Sequence, residues 1–171
     1  MKLRTVKSRS AERLRSRDIS ELAVMVRFGD VLVAVAAQRV SRIVMADEVV
    51  LDTQRATPSV VIGDAVFPAW DMGRLLGFSA PPVAWLIMTT TDEPGAPEIA
   101  LGTGPCVAVA AHDTLSSLPA GVVTGPPASV LGVFPTDAAL RERGIGHLGV
   151  RLDPMRLIGT SAIAAARRGE R

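Results

Sequence analysis

A single cysteine, Cys106, stands in 171 residues, so no internal disulfide can form and no cysteine-rich metal site exists. It lies in an apolar run and is expected to be an inert, buried thiol. Histidine is almost as scarce, with only His112 and His147. Two histidines and one cysteine without a recognised spacing do not make a metal centre, and neither metal nor cofactor is expected. The nearest approach to a nucleophilic set, His112, Asp113 and Ser116, places His and Asp on adjacent residues. Neighbours on a strand point to opposite faces and cannot readily orient each other. No Gly-x-Ser-x-Gly elbow occurs. Gly102-Thr103-Gly104 is followed by neither Lys-Ser nor Lys-Thr, and Pro105 removes a backbone donor that a phosphate nest would use. Catalysis is therefore not expected.

Aromatic residues are few: no tyrosine, four phenylalanines and two tryptophans. Small barrels that bind single-stranded nucleic acid use surface aromatics to stack bases. Trp70 and Trp85 sit in strand patterns and read as core or inter-barrel packing instead. No run of 18 apolar residues is present, so no transmembrane helix is expected. The N-terminal charge is not followed by an apolar segment, so it does not read as a secretory signal, and a cytoplasmic protein is expected. Net charge is only +2, but it is unevenly placed. Residues 1–21 form a basic arm carrying Lys2, Arg4, Lys7, Arg9, Arg13, Arg15 and Arg17 against Glu12. The chain closes on Arg167-Arg168-Gly169-Glu170-Arg171. A basic arm suits an acidic protein face, a nucleic acid or an anionic surface. A two-barrel nucleic-acid-binding module is thus the alternative to a protein adaptor.

What the chain does have is repetition. Val33-Ala34-Val35-Ala36-Ala37 recurs as Val107-Ala108-Val109-Ala110-Ala111, and Trp70-Asp71-Met72-Gly73-Arg74-Leu75-Leu76-Gly77 is echoed by Leu152-Asp153-Pro154-Met155-Arg156-Leu157-Ile158-Gly159. The two matches fall in the same order, which argues for two copies of one β-rich unit of about 50 residues. Gly29-Asp30 and Gly63-Asp64 read as tight hairpin turns between short strands. Asp71 is placed to cap a short helix that Gly77 ends. Thr136 to Arg143 reads as a short helical insertion capped by Thr136 or Asp137. Asp153, with Pro154 at the first helical position, starts a helix expected to run to about Arg167. Many short strands at close turn spacing, in two halves, predict an all-β protein of two small barrels.

These residues resemble the CheW-like adaptors of bacterial chemotaxis arrays. Phe28 to Ile43 looks like the family's opening hairpin. Val66-Phe67-Pro68-Ala69-Trp70-Asp71 with Arg74-Leu75-Leu76-Gly77 is similar to its "V-I-P-V-I-D-L … LLG" segment, the most specific match. Val107 to Ala111 looks like the second-subdomain strand, and Leu152-Asp153 with Leu157-Ile158 like the closing strand and helix. The resemblance covers about residues 22 to 160. It implies two intertwined, five-stranded SH3-like β-barrels with short helices, subdomain one at about 22–78 and subdomain two at about 83–153. A C-terminal helix and basic tail, 154–171, would follow. It implies no enzymatic activity, and partners of two kinds: a chemoreceptor's cytoplasmic tip and the regulatory domain of a CheA-like histidine kinase. By position, Arg39, Val40 and Arg42 match the partner-facing segment after the first hairpin. Where the family has Asn-Leu-Arg-Gly, this chain has Val61-Ile62-Gly63-Asp64, which makes Gly63, Asp64 and the following Val66 candidate contact positions with an altered chemistry. Arg42 replaces what is often an acid, and His112 stands where an acid is common. Arg74 and Arg156 recur in both copies and read as a solvated helix face.

Overall fold

The computed structural model describes residues 22–52, 55, 57–111 and 130–159. The basic arm, the His112, Asp113 and Ser116 set, and the chain from residue 160 on lie outside the described residues. Eleven strands are described: β1 (Leu22–Phe28), β2 (Val31–Ala36), β3 (Val40–Met45), β4 (Val50–Asp52), β5 (Ser59–Ile62), β6 (Ala65–Asp71), β7 (Ala84–Thr89), β8 (Glu98–Thr103), β9 (Cys106–Ala111), β10 (Val130–Pro135) and β11 (Leu148–Leu152). Three short helices accompany them: α1 (Met72–Leu75), α2 (Ala138–Glu142) and α3 (Pro154–Ile158). The hairpin strands are joined by the expected turns. Gly29 and Gly63 take φ of +59° and +61°, and among the described residues only glycines have positive φ. A positive first position followed by a negative second is the type II′ pattern, whose twist matches the flanking strands.

The strands form two sheets, β10-β11-β2-β1-β9 and β3-β7-β8-β6-β5-β4. This is the all-β, two-subdomain architecture that the resemblance implied, with one difference: β4 gives the second sheet a sixth strand. With β4 set aside, the second sheet read from its far end, β5-β6-β8-β7-β3, matches the first place by place. Each half of the chain therefore gives its first two strands to one sheet and its other three to the other. The hydrogen bonding does not follow the contiguous division at 22–78 and 83–153. Each sheet contains one parallel pair, β11 with β2 and β6 with β8, and all other pairings are antiparallel.

This arrangement divides the two sequence repeats. The Trp70 and Leu152 copies are equivalent: Leu152 pairs with Val35 as Trp70 pairs with Leu101. The two Val-Ala-Val-Ala-Ala copies are not. One lies in β2 at the sheet's centre, the other in β9 at its edge, and both flank β1. Val24 faces Val35 on one side and Val109 on the other. The structural counterpart of β2 is β8. Gly102 and Thr103, expected in a turn, are the last residues of that strand, and the turn is Gly104-Pro105.

Alternation along the four central strands explains their near-continuous apolar runs, because both of their faces are buried. Val24, Val26, Phe28, Val33 and Val35 of the first sheet meet Leu86, Met88, Ile99 and Leu101 of the second in one shared core, with Met72 of α1 and Ile158 of α3. The opposite faces line separate interiors. Ala23, Met25, Leu32, Ala34 and Phe134 fill the first. Val60, Phe67, Ala69, Trp85, Ile87 and Ala100 fill the second. The helices have local causes: Asp71 accepts from the Arg74 amide at 3.1 Å, and Asp137 from the Leu140 amide at 2.8 Å. α3 stops at Gly159, whose φ of +80° leaves helical space, so the helix expected to reach Arg167 is not continuous beyond Ile158.

Leu101 is fully buried in the shared core, so Leu101→Ala is expected to cost about 2–5 kcal/mol in urea unfolding. A Cβ on Gly104 would overlap the Arg27 carbonyl. The obstruction is backbone, and Gly104→Ala is expected to destabilise by about 1–3 kcal/mol in the same assay.

Candidate functional site

β3 is the place to begin, because it ends the second sheet and has only β7 as a partner. A 3-10 turn, Ala37–Arg39, carries the chain from the first sheet into it. Arg39 folds back on the 90–92 loop, its Nη1 donating to the Thr90 carbonyl at 3.4 Å and lying 3.6 Å from Asp92. Val40 is half-buried and packs on the shared core. The register slips between Val40 and Arg42. There, Ser41 Oγ donates to the Ile87 carbonyl at 3.0 Å. Such a bulge re-aims the side chains beside it. Arg42 is exposed, and its guanidinium lies 5.2 Å from the centre of the Phe67 ring.

Gly63 and Asp64 form the exposed turn between β5 and β6, and Val66 opposes Val61 just after it. Arg42 reaches this neighbourhood through Phe67, although Val66 points to the opposite face of β6 from Phe67. Arg39 does not join them, being held at the 90–92 loop. The six candidate positions thus occupy the entry and first half of β3 and the β5–β6 turn, not a single constellation.

Residues not singled out from sequence complete this surface. Ile43 and Met45 on β3 and Val50 and Leu51 on β4 are exposed, so both terminal strands of the second sheet carry apolar side chains into solvent. Exposed edges present unpaired N–H and C=O groups that another strand can meet. The only sequence sign was a loss of strict alternation around the one buried residue, Val44.

Between the sheets lies a pocket of 140 Å³, walled by Phe28, Phe78, Pro82, Val83 and Pro105, with Asp71 and Arg27 as its charged groups. Phe28 and Phe78 stack with centroids 5.4 Å apart. Arg27 is committed elsewhere: its Nη atoms donate to the carbonyls of Arg143 and Gly144 at 2.9 and 3.3 Å. It thereby ties the end of α2 to the first hairpin. Asp71 is engaged as a helix cap. The pocket is therefore an apolar recess without a free charged group aimed into it.

The repeated arginines are exposed, as a solvated helix face requires, and each also pairs within its own helix. Arg74 lies 3.6 Å from Asp71 and Arg156 3.2 Å from Asp153, in both cases the aspartate that caps their own helix. Asp153 accepts from the amides of Met155 and Arg156. Trp85 is buried within the second sheet's interior, and Trp70 packs on the shared core, which fits the packing role expected for both. Among the described residues, no group of three His, Cys, Asp or Glu side chains is placed to hold a metal. No described helix is long and apolar enough to cross a membrane.

Cys106 corrects an expectation. It is exposed, not buried, and it opens β9, which ends its sheet among the described residues. Desolvation by the surrounding chain nonetheless pushes its thiol above the ordinary pKa of 9.0. Native protein is expected to react with a thiol reagent without denaturant. The rate should rise with pH and lie below half its maximum at pH 9.0, because the thiolate is the nucleophile and a raised pKa delays its formation. A plateau below pH 9 contradicts this.

No family model matches the chain, and no curated protein matches it in sequence. Its fold does have a counterpart: the crystal structure of the scaffolding protein TtCheW from Thermoanaerobacter tengcongensis. That structure is 12% identical with a TM-score of 0.61, and the match covers 86% of this chain and 93% of that one. The exchanged pair of sheets described above is thus the CheW fold.

Proposed function

We propose that this protein is a non-enzymatic adaptor that couples a chemoreceptor's cytoplasmic tip to the regulatory domain of a CheA-type histidine kinase. The observation that carries the reading is the fold, shared along nearly its whole length with a protein described as a scaffold. The architecture also suits bridging, because strand exchange locks two sheets together and leaves each with its own open edges. Partners on different edges can be held at a fixed separation by one rigid core. Arg39, Val40 and Arg42 on the β3 side, and Gly63, Asp64 and Val66 at the β5–β6 turn, are the proposed partner-facing positions. The alternative, a nucleic-acid module, is less well supported: the two tryptophans are occupied in packing and do not supply a base-stacking platform.

The test is calorimetric titration of the full chain against the cognate receptor tip and the cognate kinase regulatory domain, separately. Binding to both is expected, and binding to neither sinks the reading. Binding to one identifies a specialised accessory that has shed a face. Arg42→Glu is expected to weaken binding to one partner by roughly tenfold or more, since charge complementarity at an edge selects partners. Its contact with Phe67 is worth about 0.5–1 kcal/mol. The melting temperature should therefore fall by no more than about 4 °C, so a loss of binding is separable from unfolding.

A further inference from the structure

Among the described residues, Arg151 of the first sheet stands out: none of the hydrogen bonds or ion pairs between them engages its side chain. β11 alternates: Val150 and Leu152 pack with the shared core, so Arg151 lies on the other face. There it pairs with Ala34, a residue of the first sheet's own interior. On its other side it opposes Gly132 of the edge strand β10. Two small neighbours leave room for a long side chain. The residue is half-buried, and its Nε is fully buried without a hydrogen-bond partner. Arg151 takes part in none of the ion pairs among the described residues. Other arginines are engaged: Arg27 with carbonyls, Arg39 and Arg74 with aspartates, Arg42 with a ring.

A buried polar atom without a partner is rare in folded proteins and calls for a cause. Arginine cannot escape the cost by losing its proton. Its planar fork is shaped for a carboxylate taken bidentately. Beside it the register slips between Val130 and Gly132, and the intervening Leu131 exposes its apolar side chain. An under-satisfied arginine beside exposed apolar surface is the composition of an interface anchor.

We propose that Arg151 anchors an oxyanion-recognition site on the inner face of the first sheet, which receives the carboxylate of an acidic side chain presented by a protein partner. The protein origin of that carboxylate rests on the adaptor reading above; the oxyanion site itself does not.

Two arms test this with the full chain, using Arg151→Met, which keeps the length of the side chain without its donors, and Arg151→Lys. In the first, thermal unfolding is followed in chloride and in acetate or sulfate at matched ionic strength. Wild type is expected to gain more stability from the oxyanions than Arg151→Met, because an anion that binds only the folded state raises its stability. In the second arm, Arg151→Met is expected to lose affinity by roughly tenfold or more for one of the two partners titrated above, and Arg151→Lys to recover part of it. If wild type and Arg151→Met respond equally to the oxyanions, the site is overturned. If a partner binds both variants equally while the oxyanions discriminate them, the site takes a free oxyanion and the partner carboxylate is rejected. Should wild type bind neither partner, the adaptor reading fails together with the partner carboxylate, and the first arm alone decides whether the oxyanion site exists.

Discussion

The shared apolar core between the two sheets is the constraint on which the rest depends. β1, β2, β7 and β8 are each buried on both faces, one toward the other sheet and one toward their own interior. A strand in that position cannot leave without opening two cores. Each fully buried aliphatic side chain there is worth about 1.5–3 kcal/mol, so the four strands together bind the sheets into one cooperative body. The helices α1 and α3 close the same core with Met72 and Ile158, each started by an aspartate cap.

Strand exchange follows from this core. The first two strands of each half sit at the centre of one sheet, and the chain must then cross to the other to continue. One crossing, from β8 to β9, is marked by a close approach of Gly104 to the Arg27 backbone. The consequence for function is mechanical. The two sheets are held together by packed side chains of the shared core, while their terminal strands lack a further strand neighbour among the described residues. That is the physical basis for reading the molecule as a bridge.

The edges also show how chemistry differs between the two related sheets. In the second, Arg42 comes from an edge strand and rests on Phe67. In the first, Arg151 comes from β11, beside Gly132 and Ala34, and meets no acceptor. The two sheets are related by the same topology, yet their arginines are engaged differently.

Much of the local structure was legible in the residues themselves. Gly29-Asp30 and Gly63-Asp64 specify turns because only glycine tolerates the positive φ there. Asp71 and Asp153 specify helix starts through their own side chains. The Trp70 and Leu152 copies proved equivalent because that likeness is a likeness of caps, a local matter. What needs a partner distant in sequence could not be read in the same way. The identical Val-Ala-Val-Ala-Ala segments suit any doubly buried or edge strand, and their letters do not say that both flank β1. Cys106 lies in an apolar run, yet it is exposed at the start of a strand that ends its sheet. Of the candidate site, Arg39, Val40 and Arg42 were located by resemblance, and the structure added Arg39's commitment to Asp92 and Arg42's to Phe67. Arg151 carried no signal at all, since a charge in a strand ordinarily faces water. The sequence by itself determined turns, caps and alternation, which depend on neighbours along the chain. Only the tertiary structure decided which strands are central and which are edges, because burial depends on what packs against each face.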